Sequence, residues 1–113
     1  VPEPAWPADV RSLAAAVAEN LVTPRLRLVA LQRQQGLADH NMIARFRRHV
    51  GMTPKQHRLY HRMELAKRLL RQAELGTVSI TEMALALGFE RADYFSVVFK
   101  KHTGCRPSAY RRG

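Results

Sequence analysis

Two stretches of this chain repeat one pattern. The first reads Met42-x3-Phe46-x4-Gly51-x2-Pro54 and the second Phe95-x3-Phe99-x4-Gly104-x2-Pro107, so each landmark is displaced by 53 residues. Inside that frame Arg47-Arg48-His49 matches Lys100-Lys101-His102; upstream, Gly36-Leu37 matches Gly88-Phe89, each closing a preceding helix. Apolar residues four apart share one helix face. A glycine after the helix supplies the left-handed residue that ends it, and a proline pre-set for the first turn opens the next. A short helix, a glycine turn and an amphipathic helix make a helix-turn-helix, whose second helix can lie in a DNA major groove. The duplication therefore constrains the chain to two such units in series.

Strand signals are nearly absent and apolar residues recur at three and four, which predicts an all-α fold. Seven helices can be placed. The first spans about Ala8–Leu21, with Val10, Leu13, Ala14, Val17 and Leu21 on one face. The second starts at Thr23-Pro24 and ends at Gly36, and the third spans about Asp39–Val50. Thr53-Pro54 starts a fourth, reaching about Ala73, with Leu59, Met63, Ala66, Leu70 and Ala73 as its apolar face. Ser79-x-x-Glu82 is a capping box opening the fifth, which stops at Gly88. The sixth spans about Arg91–His102, and Pro107 opens a seventh through Tyr110, leaving Arg111-Arg112 as a frayed tail. The organisation is a linker or tail over 1–7, a first unit over 8–53, a connecting helix over 54–75 and a second unit over 76–113. Trp6 reads as a docking residue for the first helix or as part of the linker.

The reading faces follow from periodicity. On the sixth helix Phe95, Val98, Phe99 and His102 form the inward stripe, so Asp93, Ser96, Val97 and Lys100 point away, with Arg91 and Ala92 at its start. By the 53-residue displacement the matching set is His40, Ile43, Ala44 and Arg47. These ten residues are the expected base or groove contacts, and Arg45, Arg48 and Lys101 the expected phosphate contacts. Asp93 either accepts from a cytosine or stabilises the helix N-terminus. Ile43 and Ala44 can touch only thymine methyls or sugars, so the first unit reads little by hydrogen bonds. A helix of about twenty residues is about 30 Å long, close to the 34 Å repeat of the major groove. The connecting helix can thus hold two readers one DNA turn apart.

Charge supports a polyanionic partner. The chain has 19 Lys+Arg against 9 Asp+Glu, a formal net charge of +10. Residues 36–113 hold fifteen of the basic and six of the acidic side chains. A basic patch of this kind faces phosphate or an anionic surface. The single cysteine, Cys105, excludes an internal disulfide and a cysteine-rich zinc site. His57 and His61 are spaced to grip a metal, but no third ligand is near in sequence, and a surface pair is the simpler reading. No paired carboxylates, phosphate loop or nucleophile–base pair stands out, so no enzyme and no cofactor is expected. The N-terminal VPEPAWP has neither the basic flank nor the apolar run of a signal peptide, and no stretch of eighteen apolar residues spans a membrane. With no initiator Met, the chain reads as a fragment or processed product, located in the cytoplasm.

At the residue level the chain resembles the AraC/XylS transcription regulators. The resemblance is carried by Arg62-Met-Glu-Leu-Ala66-Lys-Arg-Leu-Leu70, by Ser79-Ile-Thr-Glu-Met-Ala84-Leu-Ala-Leu-Gly88-Phe89, by Tyr94-Phe95-Ser96-x-x-Phe99-Lys100-Lys101-His102-Thr103-Gly104 and by Pro107-Ser-Ala-Tyr110-Arg111. It covers about residues 8–112. It implies a seven-helix DNA-binding domain reading an asymmetric promoter site, a separate N-terminal domain for effector binding or dimerisation, and an activator that recruits RNA polymerase. Five positions depart from the family pattern: Gln32 replaces a small alanine, Ala38 a serine cap, Ile43-Ala44 the more usual Arg or Gln, and Val97 an arginine. The resulting expectation is sequence-specific binding of double-stranded DNA to regulate transcription. The alternative is a protein-interaction module whose first unit contacts polymerase or a partner rather than bases.

Overall fold

The computed structural model describes residues 5–113; residues 1–4, the beginning of the expected linker, lie outside the described residues. Seven α-helices are present, and no strand among the described residues: α1 Ala8–Glu19, α2 Leu28–Gln34, α3 Met42–Val50, α4 Pro54–Leu70, α5 Ile80–Ala86, α6 Ala92–Thr103 and α7 Pro107–Arg112. The expected all-α, seven-helix architecture is the observed one. The chain forms two compact units. One comprises residues up to Leu21 with Leu26–Leu59, the other Val22–Arg25 with Tyr60–Gly113. Helix α4 contributes to both.

In the first unit the apolar face of α1 is buried as its spacing predicts. Val10, Leu13, Ala14, Ala16 and Val17 form one core with Leu31, Met42 and Phe46. Trp6 packs against that core, which resolves its sequence reading towards docking. Helix α1 stops two residues early because Asn20 terminates it: both its backbone N–H and its Nδ2 donate to the Ala16 carbonyl, the latter at 2.9 Å. Gln32, where the resemblance implies a small alanine, is buried and donates from Nε2 to the Leu37 carbonyl at 3.2 Å. The bulkier side chain thus secures the turn after α2 while satisfying its own amide. Thr53 and Gln56 cap α4 reciprocally. The Gln56 N–H donates to Thr53 Oγ1 at 3.2 Å and the Thr53 N–H to Gln56 Oε1 at 3.0 Å.

The second unit is built on an aromatic row. Phe89, Phe95, Phe99 and Tyr110 follow one another at ring-centroid distances of 5.2, 5.7 and 5.3 Å. Met63, Ala66 and Leu70 of α4, Met83, Ala84 and Leu87 are buried in the same unit. One half of the expected capping box is present, with Ser79 Oγ accepting from the Glu82 N–H at 3.0 Å.

Further boundaries differ from the sequence reading. Thr23-Pro24 does not open α2; Arg25 takes a left-handed φ of 58° and the Thr23 carbonyl accepts from Arg62 Nη2 at 3.4 Å, so this segment is a turn and the helix starts at Leu28. Helix α4 ends at Leu70, not Ala73. Its last turn tightens through bonds from Arg71 N–H to the Arg68 carbonyl and from Gln72 N–H to the Leu69 carbonyl, and Ala73–Leu75 form a separate 3-10 turn with Ala73 exposed. The tail is helical rather than frayed. Helix α7 runs to Arg112, and Arg111 Nη1 donates to the Val78 carbonyl at 2.7 Å.

Candidate nucleic-acid interface

Helices α3 and α6 occupy equivalent places in the repeat, and each ends at a left-handed glycine, Gly51 at φ 94° and Gly104 at φ 91°. Each also buries an aromatic that fixes its rotation. Phe46 and Phe99, four residues after Met42 and Phe95, are fully buried. Rotation being fixed, the opposite faces are exposed. On the first unit Ile43, Ala44 and Arg47 lie on the outer side of α3, with His40 in the turn before it. Helix α3 begins at Met42, three residues later than predicted, because Asp39 Oδ1 accepts the Asn41 N–H at 3.0 Å and holds the preceding residues in a turn.

The four expected readers of the first unit line one shallow depression, together with Arg48 and Thr53. In the second unit Ala92, Asp93 and Ser96 line another, with Ile80, Thr81, Arg106, Pro107 and Ser108. Val97 and Lys100 are exposed on the same helix, and Lys101 is exposed near its end. Thr53 and Arg106 are residues the sequence reading missed. Each immediately precedes the helix-opening proline, and the two are related by the same 53-residue displacement, which was the signal available to find them. They differ in chemistry. Thr53 is engaged in capping α4, whereas Arg106 makes no side-chain cap bond to α7 and is exposed.

One expected phosphate contact, Arg45, is engaged within the protein. Arg45 donates from Nε to Asp9 at 3.0 Å and from Nη1 and Nη2 to Asp39 at 3.1 and 2.9 Å. The hydrogen bond to Asp39 is the largest influence raising the Arg45 pKa further, and the same bond lowers that of Asp39. With its fork held by two carboxylates, Arg45 ties α1 to α3. Charge is used internally elsewhere too. Arg58 and Arg62 are buried. The first donates to the Asn20 carbonyl at 3.2 and 2.9 Å, and the second stacks over Phe89 at 4.8 Å. Burial pulls the Arg58 pKa down from its ordinary value. Arg48 and Lys101, by contrast, are exposed at the ends of their helices.

At the start of α6, Arg91 and Asp93 form an exposed ion pair, with Asp93 Oδ1 also accepting the Tyr94 N–H at 2.9 Å. The Arg91 hydrogen bond holds the Asp93 carboxyl below its ordinary pKa. Of the two readings of Asp93, stabilisation of the helix start is thus visible in the geometry. His102, assigned to the inward stripe, is partly buried and its Nε2 lies 2.6 Å from Glu64 Oε2. Its repeat mate His49 is exposed, so the two histidines have diverged. The His102 contact is the leading cause lowering the Glu64 pKa from the ordinary 4.5. A carboxyl depressed by folding stabilises above its unfolded value, and that contribution is lost as pH falls through the folded value. Acid unfolding is therefore expected to start at a lower stability in Glu64→Gln but to be shallower below about pH 4.5. Thermal melts of both chains between pH 3 and 7 measure it, and parallel curves would contradict it.

His57 meets Phe46 edge-on at 5.4 Å and His61 meets Tyr60 at 5.3 Å, so both rings are packed against aromatics. Burial is the first cause lowering the His61 pKa. Among the described residues no three His, Cys, Asp or Glu side chains gather as a metal site, and no helix is long and apolar enough to cross a membrane.

A family model described as a helix-turn-helix domain, of the AraC type, matches residues 31–113. The chain belongs to the AraC-type helix-turn-helix family. This family is one of DNA-binding transcription regulators. Among its members the chain is similar to the MmsAB operon regulatory protein of Pseudomonas aeruginosa, at 34% identity over 104 residues, covering 92% of this chain and 33% of that protein. It is also similar to the HTH-type transcriptional activator RhaR of Salmonella arizonae, at 35% identity over 99 residues, 88% of this chain and 34% of RhaR. The chain thus spans about a third of the length of the curated relatives it matches. Among solved structures, the C-terminal domain of the response regulator AraT from Geobacillus stearothermophilus superposes with a TM-score of 0.86 at 24% identity, over 96% of this chain and 87% of that one. The C-terminal domain of the response regulator yesN from Fusobacterium nucleatum gives 0.79 at 27% identity, over 88% and 94%.

Proposed function

We propose that this AraC-type domain binds double-stranded DNA sequence-specifically and regulates transcription, as an activator, with α3 and α6 entering successive major grooves. The carrying observation is the pair of equivalent reading faces, each exposed and each bounded by a basic residue, Arg48 in one and Lys101 in the other. In the second unit Arg91, Ala92, Asp93, Ser96, Val97 and Lys100 contact bases or the groove wall and Lys101 contacts phosphate. In the first, His40, Ile43, Ala44 and Arg47 face the groove and Arg48 the phosphates. Helix α4, with seventeen residues, is about 25 Å long and is the spacer between the two readers. The activator role is supported by the name of RhaR. The relatives' greater length supports a further effector-binding or dimerisation domain in the whole protein, whose proposed partner is RNA polymerase and proposed place the cytoplasm. The family is not enzymatic, and no catalytic role is assigned.

Site selection from random duplex DNA, followed by titration at several salt concentrations, tests the reading. Log affinity is expected to fall linearly with log salt, by about 0.9 per phosphate neutralised. The half-site under α6 is expected to be sharper than that under α3, since Ile43 is 49% exposed and offers only apolar contact. Salt-insensitive binding would refute the DNA reading. A uniform first half-site, with specificity wholly under α6, would favour the second reading, in which the Ile43–Ala44 face meets a protein.

A further inference from the structure

Among the described residues, two guanidinium–carboxylate pairs are well exposed: Arg25–Glu90, which meets at a single 3.5 Å contact, and Arg91–Asp93, which is joined by two short hydrogen bonds. Arg45 is enclosed by two carboxylates and only 34% of its side chain is exposed. Arg91 meets one carboxylate, and the two side chains are 74% and 65% exposed. A pair so exposed adds little to stability, so its effect lies in how it presents the arginine. Arg91 Nε donates to Asp93 Oδ1 at 3.0 Å and Nη2 to Oδ2 at 2.6 Å. The carboxylate is itself held from the helix by the Tyr94 N–H. Five N–H donors sit on a guanidinium, and two are taken. The outer edge, formed by Nη1 and the remaining N–H of Nη2, keeps two parallel donors.

We propose that Asp93 is a positioning residue that aims the outer edge of Arg91 at the O6 and N7 of a guanine at the start of the α6 reading face. The proposal rests on the DNA-binding reading above and names the base class that this part of the site selects. Guanine is the base whose major-groove edge carries two adjacent acceptors, matching two parallel N–H donors. Asp93 acts in two ways. It restricts the Arg91 rotamers before binding, so less side-chain freedom is lost on contact. Its negative charge also disfavours capture of Arg91 by the phosphate backbone, which would hold DNA without reading it. The lowered Asp93 pKa means that the carboxylate is charged at neutral pH and able to do both.

The test uses the 113-residue chain and the duplex it selects from a random library. Selection is expected to recover a fixed guanine under the α6 N-terminal end. Replacing that guanine by 7-deazaguanine removes N7 and is expected to weaken the wild type about tenfold, within the range for a bidentate contact. Asp93→Asn keeps the shape and an oxygen for the Tyr94 N–H, so circular dichroism should be unchanged. This variant is expected to lose most of the 7-deazaguanine effect while binding a scrambled duplex more tightly. Arg91→Ala should lose the effect without that gain, and Arg91→Lys, which keeps the charge but not the fork, should behave like Arg91→Ala in discrimination. No fixed guanine, or an Asp93→Asn chain that discriminates as the wild type does, overturns the positioning role while leaving DNA recognition intact. A wild type that binds selected and scrambled duplexes equally overturns both.

Discussion

Replacing Gly88 by alanine is expected to lower stability by about 2–5 kcal/mol, the sum of a left-handed backbone and an overpacked site. Gly88 has φ +89°, and a Cβ built there lies 2.4 Å from the Val22 carbonyl oxygen and 2.8 Å from its carbon. Backbone cannot move aside as a flexible side-chain end can. The third neighbour, Arg62 Nη2 at 2.9 Å, belongs to the buried arginine stacked on Phe89. Displacing it also disturbs that contact and the bond to the Thr23 carbonyl. The comparison that isolates the clash is Gly104→Ala. Gly104 has nearly the same φ, +91°, and nothing within 4 Å of its Cβ. Only the backbone contribution of about 1–2 kcal/mol applies there. Urea denaturation of the two variants should separate them by at least 1 kcal/mol, on the order of the smaller overpacking costs. Equal losses would mean that the close approach at Val22 is not a constraint.

Gly88 also shows how far the sequence reaches. Its role as a helix stop is legible, because Gly36 and Gly88 hold matching places in the repeat. That a neighbouring carbonyl sits against it is not, because the partner, Val22, is distant in sequence and in a turn. The same division runs through the fold. Elements fixed by local chemistry were read to within a few residues: the Ser79 cap, the Gly51 and Gly104 stops and the Pro54 and Pro107 starts. Elements fixed by a distant group were misread. Thr23-Pro24 carries a helix-start signal, yet its carbonyl is engaged by Arg62 of α4 and the segment turns. The Ala73 end of α4 failed for a local reason, a tightened last turn that periodicity does not register.

In the candidate interface, position on an outer helix face was legible from the buried partners alone. Met42, Phe46, Phe95 and Phe99 at four-residue spacing leave one direction for the readers. What each charge does was not. Arg45, Arg48, Arg58 and Arg62 look alike in the sequence, and only Arg48 remains exposed. Arg45 is claimed by Asp9, which lies 36 residues away in the chain. Helical spacing gives the direction of a side chain and says nothing of the carboxylates or carbonyls waiting there. Composition therefore overstates the charge available to DNA, although it rightly points to the polyanion.

The neighbouring residues Tyr94 and Phe95 are expected to differ sharply on truncation. Phe95 is fully buried, with rings of Phe89 and Phe99 at 5.2 and 5.7 Å. Phe95→Ala should cost about 3–5 kcal/mol, through lost transfer energy and the cavity left between rings that cannot close over it. Tyr94 is 53% exposed and touches the row only at its margin, 6.1 Å from Phe89. Tyr94→Ala should stay within about 1 kcal/mol of the parent, as for a surface position with no special contact. Since small domains have only about 5–15 kcal/mol to lose, the first variant is expected to melt far earlier than the second. The consequence for recognition follows from the same burial. Phe95 sets the rotation of α6, and Ser96, Val97 and Lys100 keep their outward direction only while it is seated. At a temperature where Phe95→Ala is still mostly folded, its preference for the selected duplex over a scrambled one should shrink, while its salt-dependent affinity for any duplex persists because no charge has changed. Equal melting of the two variants would show that the aromatic row does not hold α6. Undiminished discrimination by folded Phe95→Ala would show that its reading face is oriented by something other than this ring.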